Sequence, residues 1–380
     1  MTAAADRSPG DKVKMTVSQR SVESLAAALQ GWLADKLALP ASPEVTNVRV
    51  PDTGGLSSTS VLFEADWISA GTRQHGAYVA RIAPEHSAVP VFPRYDLNGQ
   101  FELIGQVAAR CGVPLPELRW NQPDGGPLGT AFFVMDQVDG QIPLDNPPYV
   151  FTGWLLDAAP QERALLQRGS VGILAELHAI AEPADAFPSL RPPRGVDALR
   201  WHVDQQYDYY RWALADDGTQ IPIIERSLRW LEDHWPCDRG PDVLSWGDAR
   251  IGNIIYSGFT PAAVLDWEMA AIGPRELDVS WFIFLHRFFQ DIAEFFGLAG
   301  LPDFLRRSDV ERAYSELSGY SLREMDFYLV YAALRHAIAM ARVKRRMIHF
   351  GEDEVPGDVD DYVMHRASLE KLLDGSYRWD

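Results

Sequence analysis

The stretch Ser245–Tyr256 (SWGDARIGNIIY), followed by Ala263–Glu268 (AVLDWE), constrains this chain more than any other. Gly247 and Gly252 bracket a short loop that carries Asp248 and Asn253. Asn253–Tyr256 and Ala262–Leu265 are strand-like, with Ser257–Pro261 as the turn, so a hairpin is expected. A hairpin brings the chain back to its start, which sets Asp266 beside Asn253. Two carboxylates and an amide oxygen then converge at one edge. Hard oxygen donors of this kind hold Mg²⁺, and a carboxylate beside them can orient and deprotonate a hydroxyl; phosphoryl transfer asks for both. Alone, Gly-Asp-x-x-x-x-Asn is a weak signal, because Asp and Asn favour turns anyway.

Composition narrows the alternatives. At 380 residues, 47% hydrophobic and 23% charged, the chain is an ordinary globular one with one large or two modest domains. Its net charge of −18 repels phosphate backbones and argues against nucleic-acid binding. Cys111 and Cys237 are the only cysteines, too few for a disulfide framework or a four-thiolate zinc site, and they fit a reducing cytoplasm. The first residues lack the apolar core of a signal peptide, and no apolar run reaches the ~18–20 residues of a membrane span. The histidines show no metal-ligand spacing. No Gly-x-Ser-x-Gly elbow and no Gly-x-x-x-x-Gly-Lys-Ser/Thr loop is present.

Read in order, residues 1–17 are expected to form a flexible tail. Apolar positions Val22, Leu25, Leu29, Trp32 and Leu33 then predict an amphipathic helix. Val45–Val50, Ser60–Trp67 and Ala77–Ile82 predict strands, with a turn near Gly71 and a Gly/Ser loop at Asp52–Ser60. Leu97–Cys111 predicts a helix and Ala131–Met135 a buried strand. The Pro-rich Ile142–Pro148 follows, so the boundary is placed after Gly140. Beyond it, helices are expected over Arg163–Ala181, Val196–Leu214, Ile221–His234, Leu277–Phe289 and Leu322–Ile348, with the hairpin as the only strands. The fold class is therefore α+β, an antiparallel sheet with helices followed by a mainly helical part.

This ordered set resembles the aminoglycoside phosphotransferase family, which shares the protein-kinase-like fold. The likeness extends to mycobacterial members and to the kinase-like domain of acyl-CoA dehydrogenase family member ten. It covers roughly residues 20–370 and is densest in LSWGDARIGNIIYSGFTPAAVLDWEMAAIGPRELD, Leu244–Asp278. The resemblance implies two lobes, 18–140 binding nucleotide and 141–380 catalytic, with ATP and Mg²⁺ between them and a small-molecule hydroxyl as phosphate acceptor. It implies Asp248 as catalytic base and Asn253 and Asp266 as metal ligands. Gly55, Ser57 and Ser58 match the loop over the phosphates, and Arg81 the phosphate-binding cation. Met135, Asp136 and Val138 match the hinge, where the Asp136 carbonyl and the Val138 N–H meet the adenine edge. Arg250 and Glu268 are candidate substrate contacts.

Two positions depart from the family pattern. Arg81 stands where Lys is usual, and Arg binds phosphate differently from Lys. Trp246 stands where His is usual, two before the catalytic Asp. The helix Glu that pairs with the Lys falls near Gln100 or Glu102. Alternatives are a hydroxyacyl-CoA kinase of the same fold, or a nucleotide-binding pseudokinase or regulator without transfer. A protein kinase fits less well, since no Ala-Pro-Glu segment follows Asp266. Asp278 is a candidate loop anchor, Arg275 a helix cap and His178 a satisfied core histidine. The Trp201–Trp212 aromatics are expected to be core packing. The basic run Arg342, Lys344, Arg345 and Arg346 is expected on a solvated helix face.

Overall fold

The computed structural model describes residues 20–39, 41–51, 58–84, 89–216 and 218–379. The expected tail and the loop residues Gly55 and Ser57 lie outside them.

Helix α1 (Val22–Lys36) starts where the Ser21 hydroxyl accepts the Ser24 N–H at 3.2 Å. It lays Leu25, Leu29, Trp32 and Leu33 on a five-stranded antiparallel sheet of order β1-β2-β3-β5-β4. The strands are β1 (Glu44–Arg49), β2 (Thr59–Ser69), β3 (Thr72–Ile82), β4 (Leu118–Gln122) and β5 (Phe132–Asp136). Ala70 and Gly71, both at positive φ (49° and 78°), close the β2–β3 hairpin, as a two-residue turn matched to strand twist requires. Period-two alternation divides β5. Phe132 and Val134 join the α1 core, while Phe133 and Met135 join Leu103, Ile104 and Val107 of α2 (Leu97–Ala108) in the larger core. The sheet is thereby bonded to the helical part through its second face.

The helical part contains α3 (Trp154–Asp157), α4 (Pro160–Leu177), α5 (Pro183–Ala186), α6 (Ala198–Ala213), α7 (Pro222–Asp233), α8 (Glu276–Phe295), α9 (Arg307–Ser318), α10 (Met325–Phe350) and α11 (Arg366–Leu373). The expected hairpin is β7 (Ile254–Ser257) with β8 (Thr260–Val264). It is not the only sheet there, contrary to expectation. β6 (Asp242–Ser245) pairs with β9 (Ala271–Pro274), Ser245 opposite Ala271. Four residues carry too little alternation to announce a strand, and Val243 and Leu244 are both buried. β4, α9 and α11 also went unpredicted; α9 buries only Val310 and Tyr314.

The basic run is likewise not a solvated face. Arg342 and Arg346 are 7% and 2% exposed. Four residues apart, they share one side of α10. Arg342 donates to the Pro90 carbonyl at 3.0 Å and stacks over Trp212 at 4.7 Å. The run looked solvated because its composition is basic, but helical phase turns two of its four members inward. Among the described residues, no helix is long and apolar enough to cross a membrane.

Candidate active site

The site is assembled on the loop between β6 and β7. Gly247 has φ +91°, and a Cβ there would fall 1.9 Å from the Met269 carbonyl oxygen. Only glycine fits so close a backbone approach in this conformation. Beneath the loop, the fully buried Asp278, in the first turn of α8, accepts four hydrogen bonds. The donors are Ser245 Oγ (2.7 Å), Trp246 N (2.7 Å), Gly247 N (2.9 Å) and His178 Nε2 (3.1 Å). Burial alone would push this carboxyl up. The hydrogen bond and charge of His178, with the Ser245 and Gly247 donors, outweigh burial and hold it below the usual carboxylate value. His178 is a satisfied core histidine whose Nδ1 meets Tyr314 Oη at 2.8 Å. Arg275 reaches the same hydroxyl at 3.4 Å and stacks over Tyr320, so it braces this network at the start of α8.

Asp248 sits on top of the loop. Its Oδ2 accepts from Asn253 Nδ2 at 2.6 Å and from Arg250 Nε at 3.2 Å. Its Oδ1 accepts from the Trp281 indole N–H at 2.7 Å. The Asn253 amide also donates to the Asp248 carbonyl at 3.0 Å, so Asp248 does not engage the amide oxygen, the atom a hard cation prefers. The Leu265 N–H donates to the Asn253 carbonyl at 2.8 Å, which places Asp266 next to Asn253 as the hairpin argument expected.

Asp266 faces Arg81 of β3, Oδ2 to Nη2 at 3.5 Å, with both side chains largely buried. Arg81 also donates to Ser60 Oγ at 3.1 Å. Among the described residues, the carboxylate paired with Arg81 is thus Asp266 and not one from α2. Gln100 lies on the buried face of α2, while Glu102 accepts from Asn98 on the outside. Trp246 replaces histidine with a fully buried indole whose N–H bridges the Leu265 (2.9 Å) and Asp266 (3.0 Å) carbonyls.

The residues expected to form the hinge occupy the end of β5 and the positions after it, beside Arg81 in the sheet, since Arg81 pairs with Phe133 and Val79 with Met135. The Asp136 and Gln137 N–H groups are taken by the Glu117 and Ala77 carbonyls. The Asp136 carboxylate is held in a fork by Arg119, at 2.6 Å to each oxygen. Val138 is half-buried, one residue beyond these ladder bonds. Arg250 bonds Asp145 at 2.5 Å as well as Asp248, so it is no solvated loop arginine. Glu268 is half-buried near Tyr95 and Tyr209. Burial first, and the Glu268 charge to a lesser degree, push both phenols up. Within the Trp201–Trp212 run, Tyr209 and Tyr210 are core while Tyr207 is exposed.

Several buried polar atoms along this edge lack hydrogen-bond partners among the described residues: Ser58 Oγ, Thr59 Oγ1, Asp266 Oδ1 and, beyond its ion pair, Arg81 Nη2. Buried polar groups are normally paired, so such a set marks a place where something binds. Hydroxyls and a guanidinium suit phosphate oxygens; a carboxylate oxygen beside an amide suits a divalent cation. No three His, Cys, Asp or Glu side chains among the described residues form a metal cluster. A cation here would take two protein ligands and complete its shell with phosphate and water, as Mg²⁺ does.

Sequence reasoning missed Trp281 and Arg335. Trp281 lies one helical turn after Asp278 and so shares its loop-facing side. Arg335 lies inside the apolar YAALRHAIAM of α10, where a buried charge is itself a signal.

An antiparallel sheet followed by a helical part, with an Asp/Asn loop and a hairpin ending in Asp, defines a phosphotransferase of kinase-like fold. The chain belongs to the phosphotransferase enzyme family, whose model matches residues 51–320. A provisionally named aminoglycoside phosphotransferase from Ralstonia eutropha aligns with a TM-score of 0.63 at 17% identity, over 92% of this chain and 97% of that one. A thermostable mutant of aminoglycoside phosphotransferase APH(4)-Ia, in ternary complex with AMP-PNP and hygromycin B, aligns at 0.56 and 15% identity, over 92% and 98%. At these identities the likeness shows the fold. Acyl-CoA dehydrogenase family member 11 of Gallus gallus is 29% identical over 210 residues, 54% of this chain and 25% of that protein. The chain spans about a fifth to a third of the length of the curated relatives it matches.

Proposed function

We propose that the protein transfers the γ-phosphate of ATP, with Mg²⁺, to the hydroxyl of a small molecule. Residues 18–140 form the nucleotide lobe and 141–380 the catalytic lobe. The observation that carries this reading is the convergence of Asp248, Asn253, Asp266 and Arg81 beside orphaned buried polar atoms. Asp248 orients the acceptor hydroxyl and takes its proton. Arg81 and Ser58 hold phosphate oxygens, as would Gly55 and Ser57. The backbone of Asp136 and Val138, beside Met135, receives the adenine edge. Asn253 and Asp266 hold the cation, which supplies neutralisation of phosphate charge. Arg250 and Glu268 face the acceptor. Such catalysis consists of positioning and charge stabilisation.

The family's substrates and the acidic chain favour a polycationic alcohol such as an aminoglycoside. The acyl-CoA dehydrogenase names of the relatives favour a hydroxyacyl-CoA instead. ADP release with Mg·ATP is measured against a panel of aminoglycosides, sugars, amino alcohols and hydroxyacyl-CoAs. One acceptor class is expected to stimulate it, and Asp248→Ala to abolish the stimulation while retaining ATP binding. Full turnover by Asp248→Ala would refute the role of Asp248.

A further inference from the structure

Asp248 is gripped from two sides, and the second grip lies outside the catalytic loop. Oδ2 receives two donors, Asn253 Nδ2 and Arg250 Nε. Oδ1 receives one, the Trp281 indole N–H at 2.7 Å. A carboxylate oxygen has two lone-pair directions. Oδ2 is therefore saturated by its loop, while Oδ1 retains one direction.

Trp281 is itself fixed. It is 4% exposed and stacked by the guanidinium of Arg335, 4.5 Å from the ring centroid. Arg335, 2% exposed, donates Nη2–H to the Gly247 carbonyl at 3.0 Å. The brace thus runs from the catalytic loop to α10, across to α8 and back to Asp248. Indole is a donor only, so it can hold the ionised carboxylate but cannot take its proton.

Resting on the phosphotransfer reading, we infer that Trp281 is a positioning residue for Asp248: its indole N–H occupies one lone pair of Oδ1 and leaves the other as the point at which the acceptor's proton is received. In the transfer step the acceptor oxygen bonds to the γ-phosphorus and the bond from that phosphorus to the ADP oxygen breaks. The hydroxyl proton passes to Oδ1 and leaves to solvent after product departs. The charged groups around Asp248 are Arg250 of its own loop, itself paired with Asp145, and Arg335 of α10.

The test is Trp281→Phe, which keeps an aromatic ring under Arg335 and removes the N–H. In ADP-release assays with the best acceptor of the panel, or water if none stimulates, kcat is expected to fall about 10- to 100-fold, with KM for ATP within about twofold. A merely structural role would move KM for ATP along with kcat. Unchanged kcat overturns the inference. A second measurement needs no turnover and no folded Trp281 variant: the indole ¹⁵N–¹H resonances of the wild type and Asp248→Asn. One indole resonance is expected to move strongly on that substitution; a superimposable indole spectrum overturns the brace. Wild-type protein that consumes no ATP at all refutes the phosphotransfer reading and with it the proton's route. The indole spectrum tells that failure apart from failure of the brace.

Discussion

Asp278 gives the sharpest test of how the site is held. Asp278→Ala deletes the acceptor of the Trp246 and Gly247 backbone N–H groups, which are buried and cannot turn to water. Each stranded donor costs about 1–3 kcal/mol, so the pair costs about 2–6 kcal/mol. Ser245 and His178 lose their partner too, but their side chains can rotate. Against a typical total of about 5–15 kcal/mol, this is a large share. Asp278→Asn keeps one acceptor oxygen and should cost roughly half as much. The assay is urea unfolding followed by tryptophan fluorescence at pH 7. Because the folded carboxyl lies below its ordinary value, its contribution is present above the unfolded value near 3.9 and is lost as pH falls through the lower folded one. The penalty should therefore persist undiminished at pH 5. An Asp278→Ala protein within about 0.5 kcal/mol of wild type would sink the argument that this carboxylate anchors the loop.

Two further outcomes are expected. Asp266→Ala removes one of two proposed cation ligands and should weaken Mg-nucleotide affinity about tenfold or more while sparing affinity for metal-free nucleotide; calorimetric titration with and without Mg²⁺ reads the difference, and equal losses would contradict the metal role. Burial lowers His202 and His286 to about 3 and His365 to about 4, so these rings are neutral when folded but charge at about 6.5 when unfolded. Their contribution is complete above pH ~6.5 and is lost on acidification toward 4. Burial holds His336 well below its ordinary value too, so four protons imply a slope of about 5 kcal/mol per pH unit around pH 5, and a flat urea midpoint between pH 7 and 5 would exclude it.

What was legible in the sequence was periodic or adjacent. The α1 stripe, the β2–β3 hairpin and the β7–β8 return each announce themselves within about twenty residues, and the last of these suffices to put Asp266 beside Asn253. What was illegible depends on distant partners. β6 and β9 are four-residue strands that exist because each pairs with the other across the hairpin. Trp281 and Arg335 matter only because α8 and α10 cross beneath the loop. Arg342 and Arg346 were misread from local composition, and for Arg342 the burial follows from the Pro90 carbonyl and the Trp212 ring docked against it.

The two departures from the family pattern, Arg81 and Trp246, would together suit a regulator without transfer activity. In the structure they act on one residue. Asp266 sits at φ +59°, a conformation costly for a side chain other than glycine. Its own carbonyl and that of Leu265 are held by the Trp246 indole, which spans more distance than imidazole and makes both bonds at once. Its carboxylate then meets Arg81, whose fork reaches Ser60 with one nitrogen and Asp266 with the other. A lysine ammonium, a single point of charge on a flexible stem, is less suited to spanning both. Arg81 and Trp246 thus fix Asp266 from front and back, while Asp248, Asn253 and Asp266 are all retained. Loss of function removes constraint from such a constellation. Here the unusual residues add constraint at the proposed metal ligand, which favours a working phosphotransferase over a silent one.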